Sequence, residues 1–333
     1  MKPKGKRITI TDIARESGVS KATVSRVLSN PDLVNPKTKQ HILSIMEKHN
    51  YIPNHLAQGL AGTPTKTIGV IIDELSNFFF IEMAEGIDKI LDAQGYSMQL
   101  SSSRWIPERE TTLIKSLISS RVEGILLAPV SPSSESISIL QKSGIPFTIM
   151  NCIPDDDSVS YVAGDNRRGG QIAAEYINSL NREQTILITG FSHQTVTHRI
   201  EGLKSRLDPA IHLKHYCDIK TFEEGYALVP LLLERENIRE TRTMLFVTND
   251  NVAIGIITHL KEYNVDIPGQ VCVLGYDNIS IARMSRVPLS TISQSIYDMG
   301  RIAALDIMET LHSDSCTPRK HLLTPELIIR QST

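Results

Sequence analysis

The stretch SKATVSRVLS, Ser20 to Ser29, has the apolar spacing of an α-helix. Val24, Val27 and Leu28 occupy one face of that helix. The rest of its surface carries short hydroxyl groups and basic side chains instead of the Glu and Lys mixture of an ordinary solvated face. The pattern therefore predicts a helix that is buried on one side and contacts a partner other than water on the other.

One further helix is predicted on each side of this stretch. TITDIARESG begins at Thr9, which stands three residues before Asp12 in the spacing of a capping box, and it ends at Gly18. In NPKTKQHILSIMEKHNY, Asn35 is placed to cap the third helix. Two helices joined by a tight turn, with a third that closes the core, predict an all-α helix-turn-helix domain at residues 1–50.

The polar face of the second helix predicts contact with DNA. In a helix-turn-helix domain this helix enters the major groove, where basic side chains reach base edges and hydroxyl groups bind phosphates. The alternative is a solvated helix of a small three-helix bundle. The candidate DNA-contacting residues of this domain are Thr9, Ser20, Lys21, Ala22, Thr23, Ser25, Arg26 and Asn30.

The charge of the chain is unevenly distributed. Residues 1–62 contain ten Lys or Arg and four Asp or Glu, a net charge of +6. The rest of the chain contains 25 basic and 33 acidic residues, a net charge of −8. A basic domain attached to an acidic body indicates a polyanionic partner for the basic domain alone.

Composition excludes several classes of protein. The apolar fraction of 41% is that of a globular protein, and no apolar run reaches the ~18 residues that a membrane helix needs. The basic start is followed by ITITDIARES instead of the apolar segment of a signal peptide, so we expect a cytoplasmic protein. Scattered cysteines predict no zinc or disulfide framework. His212 and His215 have ligand-like spacing without a third ligand nearby, and we expect them in a surface loop. We predict neither a metal nor a cofactor.

The segment YIPNHLAQGLAG, Tyr51 to Gly62, is too short to form a stable helix alone in water. Its apolar residues have no core of their own. Residues 51–65 are therefore either a plain linker or a hinge helix that folds only when a partner covers it.

From residue 66 onwards, short β-rich runs alternate with helical segments. This alternation predicts an α/β body of two doubly wound parallel-sheet lobes, hinged together like a periplasmic binding protein. We place the first lobe at residues 66–163 and 296–322, and the second at 164–292 and 323–333. In the first, the helix Phe80–Gln94 mixes core positions with positions for dimer contacts.

Polar side chains follow many of the predicted strands. Asn77 follows the first strand, Asn151 follows FTIM, Asn249 follows LFVT and Asp277 ends VLGYD. Each of them alone is equally compatible with a helix cap or an Asx turn. Several at equivalent strand ends favour a cleft for a polar ligand, because ligands of such sheets bind at the carboxyl ends of the strands.

The chain resembles the lactose-repressor (LacI) family over essentially its whole length. The motifs that carry the resemblance are TITDIARESGVSKATVSRVLS, YIPNHLAQGLAG, TIGVIIDELSNFFF, VEGILLAPVS, TNDNVAIG, VLGYDN and TPELIIRQST, which occur in the family's order. The resemblance implies a transcriptional regulator, most often a repressor, that acts as a homodimer on double-stranded DNA with a pseudo-palindromic operator.

The resemblance also implies roles for individual residues. Leu60 would be a wedge in the operator's minor groove, with Asn54, Ala57 and Ala61 against the DNA backbone and the partner's hinge. Arg199, Asn249 and Asp277 match positions that hold sugar hydroxyls, and Asn151 and Gln294 also fall on cleft positions. Phe78, Phe79 and Trp105 are candidates for stacking on a sugar face.

Lys220 departs from the family pattern, because many relatives carry an aromatic residue there. A charged side chain in the cleft would suit an acidic sugar or a phosphate. We expect a sugar as the effector, with a purine-like or phosphorylated compound as the alternative, and either induction or co-repression is compatible with the fold. No Walker, GxSxG or GxGxxG motif points to an enzyme. The competing hypothesis is a stand-alone protein that binds or processes sugars.

Overall fold

The computed structural model describes residues 8–51, 64–190, 192–313 and 317–333. The chain forms two compact units, Met1–Lys66 with Ser119–Glu123, and Thr67–Ile118 with Gly124–Thr333. The predicted hinge contacts Asn54, Ala57, Leu60 and Ala61 lie outside the described residues.

The N-terminal unit contains the three predicted helices, α1 (Ile10–Ser17), α2 (Lys21–Ser29) and α3 (Pro36–Lys48), with a 3₁₀ turn at Pro31–Leu33. Their ends follow from local chemistry. Thr9 and Asp12 form a capping box, the Asn35 side chain caps α3, and Gly18 ends α1 in the left-handed region at φ +66°. The helices enclose one small apolar core of Ile13, Ala14, Val24, Val27, Ile42, Ile45 and Met46.

The body contains two six-stranded sheets, one in each lobe, with strand orders β11-β5-β4-β3-β1-β2 and β12-β10-β9-β8-β6-β7. Every pair is parallel except β10 with β12. The prediction of two doubly wound lobes is therefore confirmed. The strands of the first sheet are β1 (Thr67–Ile72), β2 (Ser97–Ser102), β3 (Gly124–Leu127), β4 (Phe147–Met150), β5 (Tyr161–Gly164) and β11 (Lys320–Leu323). The strands of the second sheet are β6 (Gln184–Ile188), β7 (His212–Tyr216), β8 (Thr243–Val247), β9 (Val271–Asp277), β10 (Ser290–Ser293) and β12 (Glu326–Ile328).

Helices connect the strands. Those of the first lobe are α4 (Phe78–Ala93), α5 (Pro107–Ser119), α6 (Glu135–Ser143) and, late in the chain, α11 (Ile296–His312). Those of the second lobe are α7 (Asn166–Ser179), α8 (Gln194–Arg206), α9 (Phe222–Arg235) and α10 (Asp250–Glu262), with a 3₁₀ turn at Ser280–Arg283. The chain passes between the lobes three times, after β5, after β10 and after β11.

The expectation that His212 and His215 lie in a loop is wrong. Both lie on β7, the edge strand beside β6, and the Nε2 atom of His215 is 2.9 Å from the Thr189 hydroxyl. HLKHY has exposed and half-buried positions and no fully buried one, so it lacks the apolar run that identifies the buried strands.

Three pairs of helices approach so closely that only glycine fits at their contacts. In α7 and α8, a Cβ at Gly170 would stand 2.1 Å from the Arg199 carbonyl oxygen, and one at Gly202 would stand 2.0 Å from that of Arg167. Gly86 with Gly300 (α4 and α11) and Gly225 with Gly255 (α9 and α10) repeat the arrangement. The first of these contacts fixes the backbone of Arg199.

Candidate functional site: the DNA-contacting face and the ligand cleft

The polar face of α2 is exposed, as a DNA-contacting face requires. Lys21, Ala22 and Arg26 are exposed and Ser25 is half-buried, and helical spacing places all four on one side. The basic groups Lys21 and Arg26 are therefore available to an external partner.

Three of the other candidates in this unit stabilise helix ends. The Ser20 hydroxyl accepts the Thr23 backbone N–H at 3.1 Å, and the two hydroxyls are 2.8 Å apart. The Thr9 hydroxyl donates to Asp12 at 2.7 Å. Asn30 caps the C-terminal end of α2 through its backbone N–H, and its side chain is exposed. As helix caps, these residues lie at the edge of the exposed face of α2 and not at its centre.

A cavity of about 90 Å³ lies between the two lobes at the carboxyl ends of β1, β2, β4, β6, β8 and β9. At roughly 10–15 Å³ per water, it holds about six to nine waters, or a ligand of about one sugar ring. The predicted residues that line it are Asn77, Phe79, Trp105, Asn151, Arg199, Asn249 and Asp277. The remaining lining residues are Glu74, Phe80, Gly190, His193, Thr195, Val196, Lys220 and Thr248.

Arg199 and Asp277 form a buried ion pair at the wall of this cavity, with 3.4 Å between Nη2 and Oδ1 and exposed side-chain fractions of 6% and 8%. The Arg199 Nε donates to Asn166 at 2.8 Å, Nη1 donates to the Thr248 carbonyl, and the guanidinium lies 3.7 Å from the centre of the Tyr276 ring. Contacts on several sides hold the guanidinium in one orientation. It is therefore preorganised to bind a polar ligand.

The Asp277 backbone is strained. Its φ is +117°, which side-chain-bearing residues rarely adopt, and Asn278 follows at +61°. The Gln294 amide donates to the Asp277 carboxylate at 2.7 Å. Gln294 itself does not line the cavity among the described residues, so the structure places it behind Asp277, where it orients the carboxylate.

Burial raises the pKa of the Asp277 carboxyl to about 6, although Arg199 beside it and the Gln294 amide act in the opposite direction. Asp250 lies close by, fully buried. Burial and the charge of Asp277 raise the pKa of the Asp250 carboxyl well above its ordinary value. Its two oxygens accept the Thr291 hydroxyl and the Ile279 backbone N–H.

Two asparagines of the cleft also cap helices. Asn249 accepts the Val252 backbone N–H at 2.9 Å and Asn77 accepts the Phe79 backbone N–H at 3.0 Å. Capping and cavity lining therefore coincide in these residues. In contrast, the Oδ1 atom of the buried Asn151 has no hydrogen-bond partner among the described residues. An unpaired polar atom at a cavity wall is stabilised when a ligand supplies its partner.

The aromatic candidates separate into two groups. Phe79 is buried, lines the cavity and packs edge-to-face on Phe80 at 5.1 Å between ring centres. Trp105 also lines it and packs edge-to-face on His193 of the other lobe at 5.6 Å. Phe78 does not line this cavity and instead lines a separate recess, to which Phe222 and Asn251 of the second lobe also contribute.

His193 and its neighbour Thr195 were not predicted. His193 caps α8 through its ring, and Nδ1 lies 2.9 Å from the Thr195 hydroxyl. Burial lowers the pKa of His193 to about 4, against the opposing effect of the Pro129 carbonyl, so the imidazole is neutral near pH 7. His193 lies five residues beyond the end of β6, whereas Asn249 lies two residues beyond the end of β8, so the strand-end rule that selected Asn249 points to His193 less directly.

The two lobes contact each other across the cleft. The Asn251 amide lies 3.4 Å from the Asn77 amide oxygen, and Glu82 of α4 accepts the Ser280 backbone N–H at 2.5 Å. The lobes are therefore closed on one another at both contacts.

Two family models match the chain. The one described as a periplasmic binding protein domain matches residues 68–312, and the one described as bacterial regulatory proteins, lacI family, matches residues 9–54. The chain belongs to the LacI family. Its members are transcription regulators, so the protein is a DNA-binding transcriptional regulator and not an enzyme, as the sequence predicted.

Individual proteins are similar over 80% or more of this chain. Catabolite control protein A of Priestia megaterium is 28% identical over 98% of this chain and 99% of its own. A LacI family regulator from Silicibacter pomeroyi superposes with a TM-score of 0.85 at 26% identity, over 98% of this chain and 99% of that one. A regulator from Enterococcus faecalis V583 with bound ribose has a TM-score of 0.71 at 28% identity, over 80% and 98%.

Within residues 8–51, 64–190, 192–313 and 317–333, no group of three or more His, Cys, Asp or Glu is arranged to hold a metal ion. In the same ranges, no helix is long and apolar enough to cross a membrane.

Proposed function

We propose that this regulator is a repressor whose affinity for its operator is controlled by a sugar in the cleft between the lobes. The observation that carries the proposal is the fixed Arg199–Asp277 pair at the cavity wall, in the same lining as Asn151, whose Oδ1 has no hydrogen-bond partner among the described residues. Adjacent sugar hydroxyls each offer a donor and an acceptor, which suits a guanidinium, a carboxylate and an amide. The LacI family regulator with bound ribose supports the same class of ligand.

The regulator acts as a homodimer on a pseudo-palindromic operator. Each subunit presents one α2 to a major groove, and a two-fold symmetric pair of helices reads two half-sites. Residues 51–65 serve as the hinge, with Leu60 as the minor-groove wedge and with Asn54, Ala57 and Ala61 beside it. On α4, Ile81 remains 46% exposed while Ala84, Ile87 and Leu91 are buried, which favours Ile81 as a contact to the second subunit.

Effector binding is coupled to DNA binding through closure of the lobes. Ordering two hinges costs conformational entropy that contacts with DNA and with the partner hinge offset. An effector that biases the lobe geometry by ~2–3 kcal/mol changes operator affinity about 30- to 150-fold. Such a shift is sufficient for regulation.

Selection of bound duplexes from a randomised DNA library tests the DNA-binding part of the proposal. We expect enrichment of a pseudo-palindromic sequence. The affinity of the protein for it should decrease steeply as the salt concentration rises, because the basic N-terminal domain neutralises DNA phosphates. A stand-alone sugar-binding protein would enrich no sequence. Recovery of a single unrepeated half-site would contradict the homodimer.

A thermal-shift screen with neutral sugars, acidic sugars, sugar phosphates and purines tests the effector. A ligand at 100 times its Kd adds about 2.7 kcal/mol of stability. The control is Arg199→Lys, which keeps the buried positive charge but loses the guanidinium contacts. A purine hit that survives this substitution would overturn the sugar assignment. A sugar hit is then added to the DNA titration, and a weaker or a tighter complex identifies an inducer or a co-repressor.

A further inference from the structure

A second, larger space adjoins the sugar cavity. It has a volume of about 690 Å³ and shares Glu74, Trp105 and Lys220 with the smaller cavity as common lining residues. These three side chains therefore form the boundary between an inner compartment, the sugar cavity, and an outer compartment. A ligand larger than one sugar ring extends from the first into the second.

The outer compartment is positively charged. Arg104, Arg109 and Lys220 line it, and Glu74 is the one acidic side chain among its described lining residues. Glu74 accepts a hydrogen bond from the Ser76 hydroxyl at 2.8 Å. Lys220 is 3.7 Å from Asp218, whose side chain is 76% exposed, and an exposed pair of this kind is weak.

The two arginines have no carboxylate partner in the part of the chain that the structure describes. The Arg109 Nε donates to the Ser102 carbonyl at 2.7 Å. This bond holds the guanidinium at its Nε atom and leaves the two terminal nitrogens, Nη1 and Nη2, for a ligand. Two arginines that line one space and have no carboxylate partner among the described residues favour an anion, because a guanidinium binds a carboxylate or a phosphate with two parallel hydrogen bonds.

The backbone of this wall is held in a conformation that side chains disfavour. Arg104 and Trp105 follow each other at φ +55° and +60°. The Arg104 backbone N–H donates to the Asp73 carbonyl at 2.8 Å, and the buried Ser103 N–H donates to that of Ile72 at 2.9 Å. These bonds fix the turn that brings Trp105 to the inner compartment and Arg104 to the outer one.

We infer that the effector is an anionic sugar derivative, with its ring in the inner compartment and its phosphate or carboxylate group bound by Arg104, Arg109 and Lys220 in the outer one. The inference rests on the proposed sugar-responsive function and adds the charge of the ligand to it. It assigns recognition of the ring to Arg199 and Asp277 and recognition of the anion to a separate set of residues.

Calorimetric titration with matched sets of sugars tests this inference. The sets are glucose, glucuronate and glucose 6-phosphate, and ribose with ribose 5-phosphate. We expect at least one anionic member to bind about tenfold tighter, or more, than its neutral counterpart. The preference should shrink as ionic strength rises, because salt screens exposed charges. Whether glucuronate or glucose 6-phosphate binds with the higher affinity shows whether the site prefers a carboxylate or a phosphate.

The decisive variant is Arg104→Gln with Arg109→Gln. It should abolish the preference for the anion and leave the affinity for the neutral sugar within about twofold, because neither residue lines the inner compartment. The control is Lys204→Gln with Arg206→Gln, which removes two charges at the far end of α8, about 15–20 Å from its start by helical rise. It should change nothing.

Two results would overturn the inference. Neutral sugars that bind as tightly as their anionic counterparts would leave the sugar-responsive function intact and remove the anion site. A preference for the anion that survives in the double variant would do the same. If no member of either set binds, the inference fails together with the sugar assignment, and the DNA selection alone decides whether the repressor proposal stands.

Discussion

The Gln194 side chain exchanges two hydrogen bonds with the backbone of Ile153: its Nε2 donates to the Ile153 carbonyl and its Oε1 accepts the Ile153 N–H, both at 2.9 Å. Gln194 is the first residue of α8 in the second lobe, and Ile153 follows β4 in the first. One amide side chain therefore satisfies both polar groups of a residue across the cleft. We interpret this pair as a latch that favours the closed arrangement of the lobes.

Gln194→Ala should open the latch. Two lost hydrogen bonds are worth ~1–3 kcal/mol, so the Ile153 amide should exchange with deuterium on the order of ten times faster. The control is Gln141→Ala, which removes a glutamine bonded to Asp156 within the first lobe. Unchanged exchange at Ile153 in the Gln194 variant would show that the lobes stay closed without the latch.

The pH dependence of stability should respond in opposite directions to two cleft variants. The pKa of Asp277 is raised to about 6, so its contribution to stability is present in acid and lost as pH rises from about 4 to 6. The pKa of His193 is lowered to about 4, so its contribution is present above about 6.5 and lost as pH falls to 4.

Replacing each group isolates its contribution. Between pH 6 and 4.5, Asp277→Asn should lose stability more steeply than the wild type, and His193→Gln should lose it less steeply. Urea unfolding at several pH values measures both slopes. A change in the same direction for both variants would contradict the assigned shifts.

Gly170→Ala should destabilise the body and weaken ligand binding together. The new methyl group would stand 2.1 Å from the Arg199 carbonyl, and relief of that contact should cost about 1–3 kcal/mol and move Arg199. The control is Gly144→Ala, which has φ +69° and no atom within 4 Å. It should cost ~1 kcal/mol of stability through backbone strain alone and leave affinity unchanged. Equal affinity loss in the two variants would refute the link to Arg199.

Arg26 should distinguish base recognition from charge. Arg26→Ala should weaken binding to the selected operator by about 1–3 kcal/mol and relax the base preference at one position of each half-site. Arg26→Lys keeps the charge and loses the bidentate geometry, so it should retain non-specific affinity but not the preference. Lys48→Ala is the matched control for a basic residue that is not available to DNA, because Lys48 is paired with Glu16 at 2.8 Å within the N-terminal domain. Operator affinity that is unaffected by either Arg26 change would remove α2 from the groove.

The helices of the N-terminal domain could be predicted almost completely, because the position at which each helix begins or ends depends on neighbouring residues. The capping box of Thr9 and Asp12, the Ser20 cap and the Asn35 cap each act within three positions along the chain. The same holds for the alternation of strands and helices in the body. Such local signals can be recognised in the sequence without knowledge of the tertiary structure.

The geometry of the cleft could be predicted only in part. Strand-end polarity selected Asn249 and Asp277, but the resemblance to a family was needed to select Arg199 from the middle of α8. The motif SNFFF does not indicate which ring lines the cavity. The rotation of α4 about its axis is fixed by packing on the sheet, and that packing buries Phe79 and leaves Phe78 at 37% exposure. The latch joins positions 41 residues apart in different lobes, so no local pattern announces it.

The three passages of the chain between the lobes have a consequence for biosynthesis. The first lobe receives α11 and β11 only after strands β6 to β10 of the second lobe have been made, and the second lobe receives β12 after that. A nascent chain that has emerged up to β10 therefore exposes the apolar surface that α11 covers, where Met83 and Gly300 meet. We expect the three-helix N-terminal domain to fold early on the ribosome, while both lobes are completed only after α11, β11 and β12 have been synthesised.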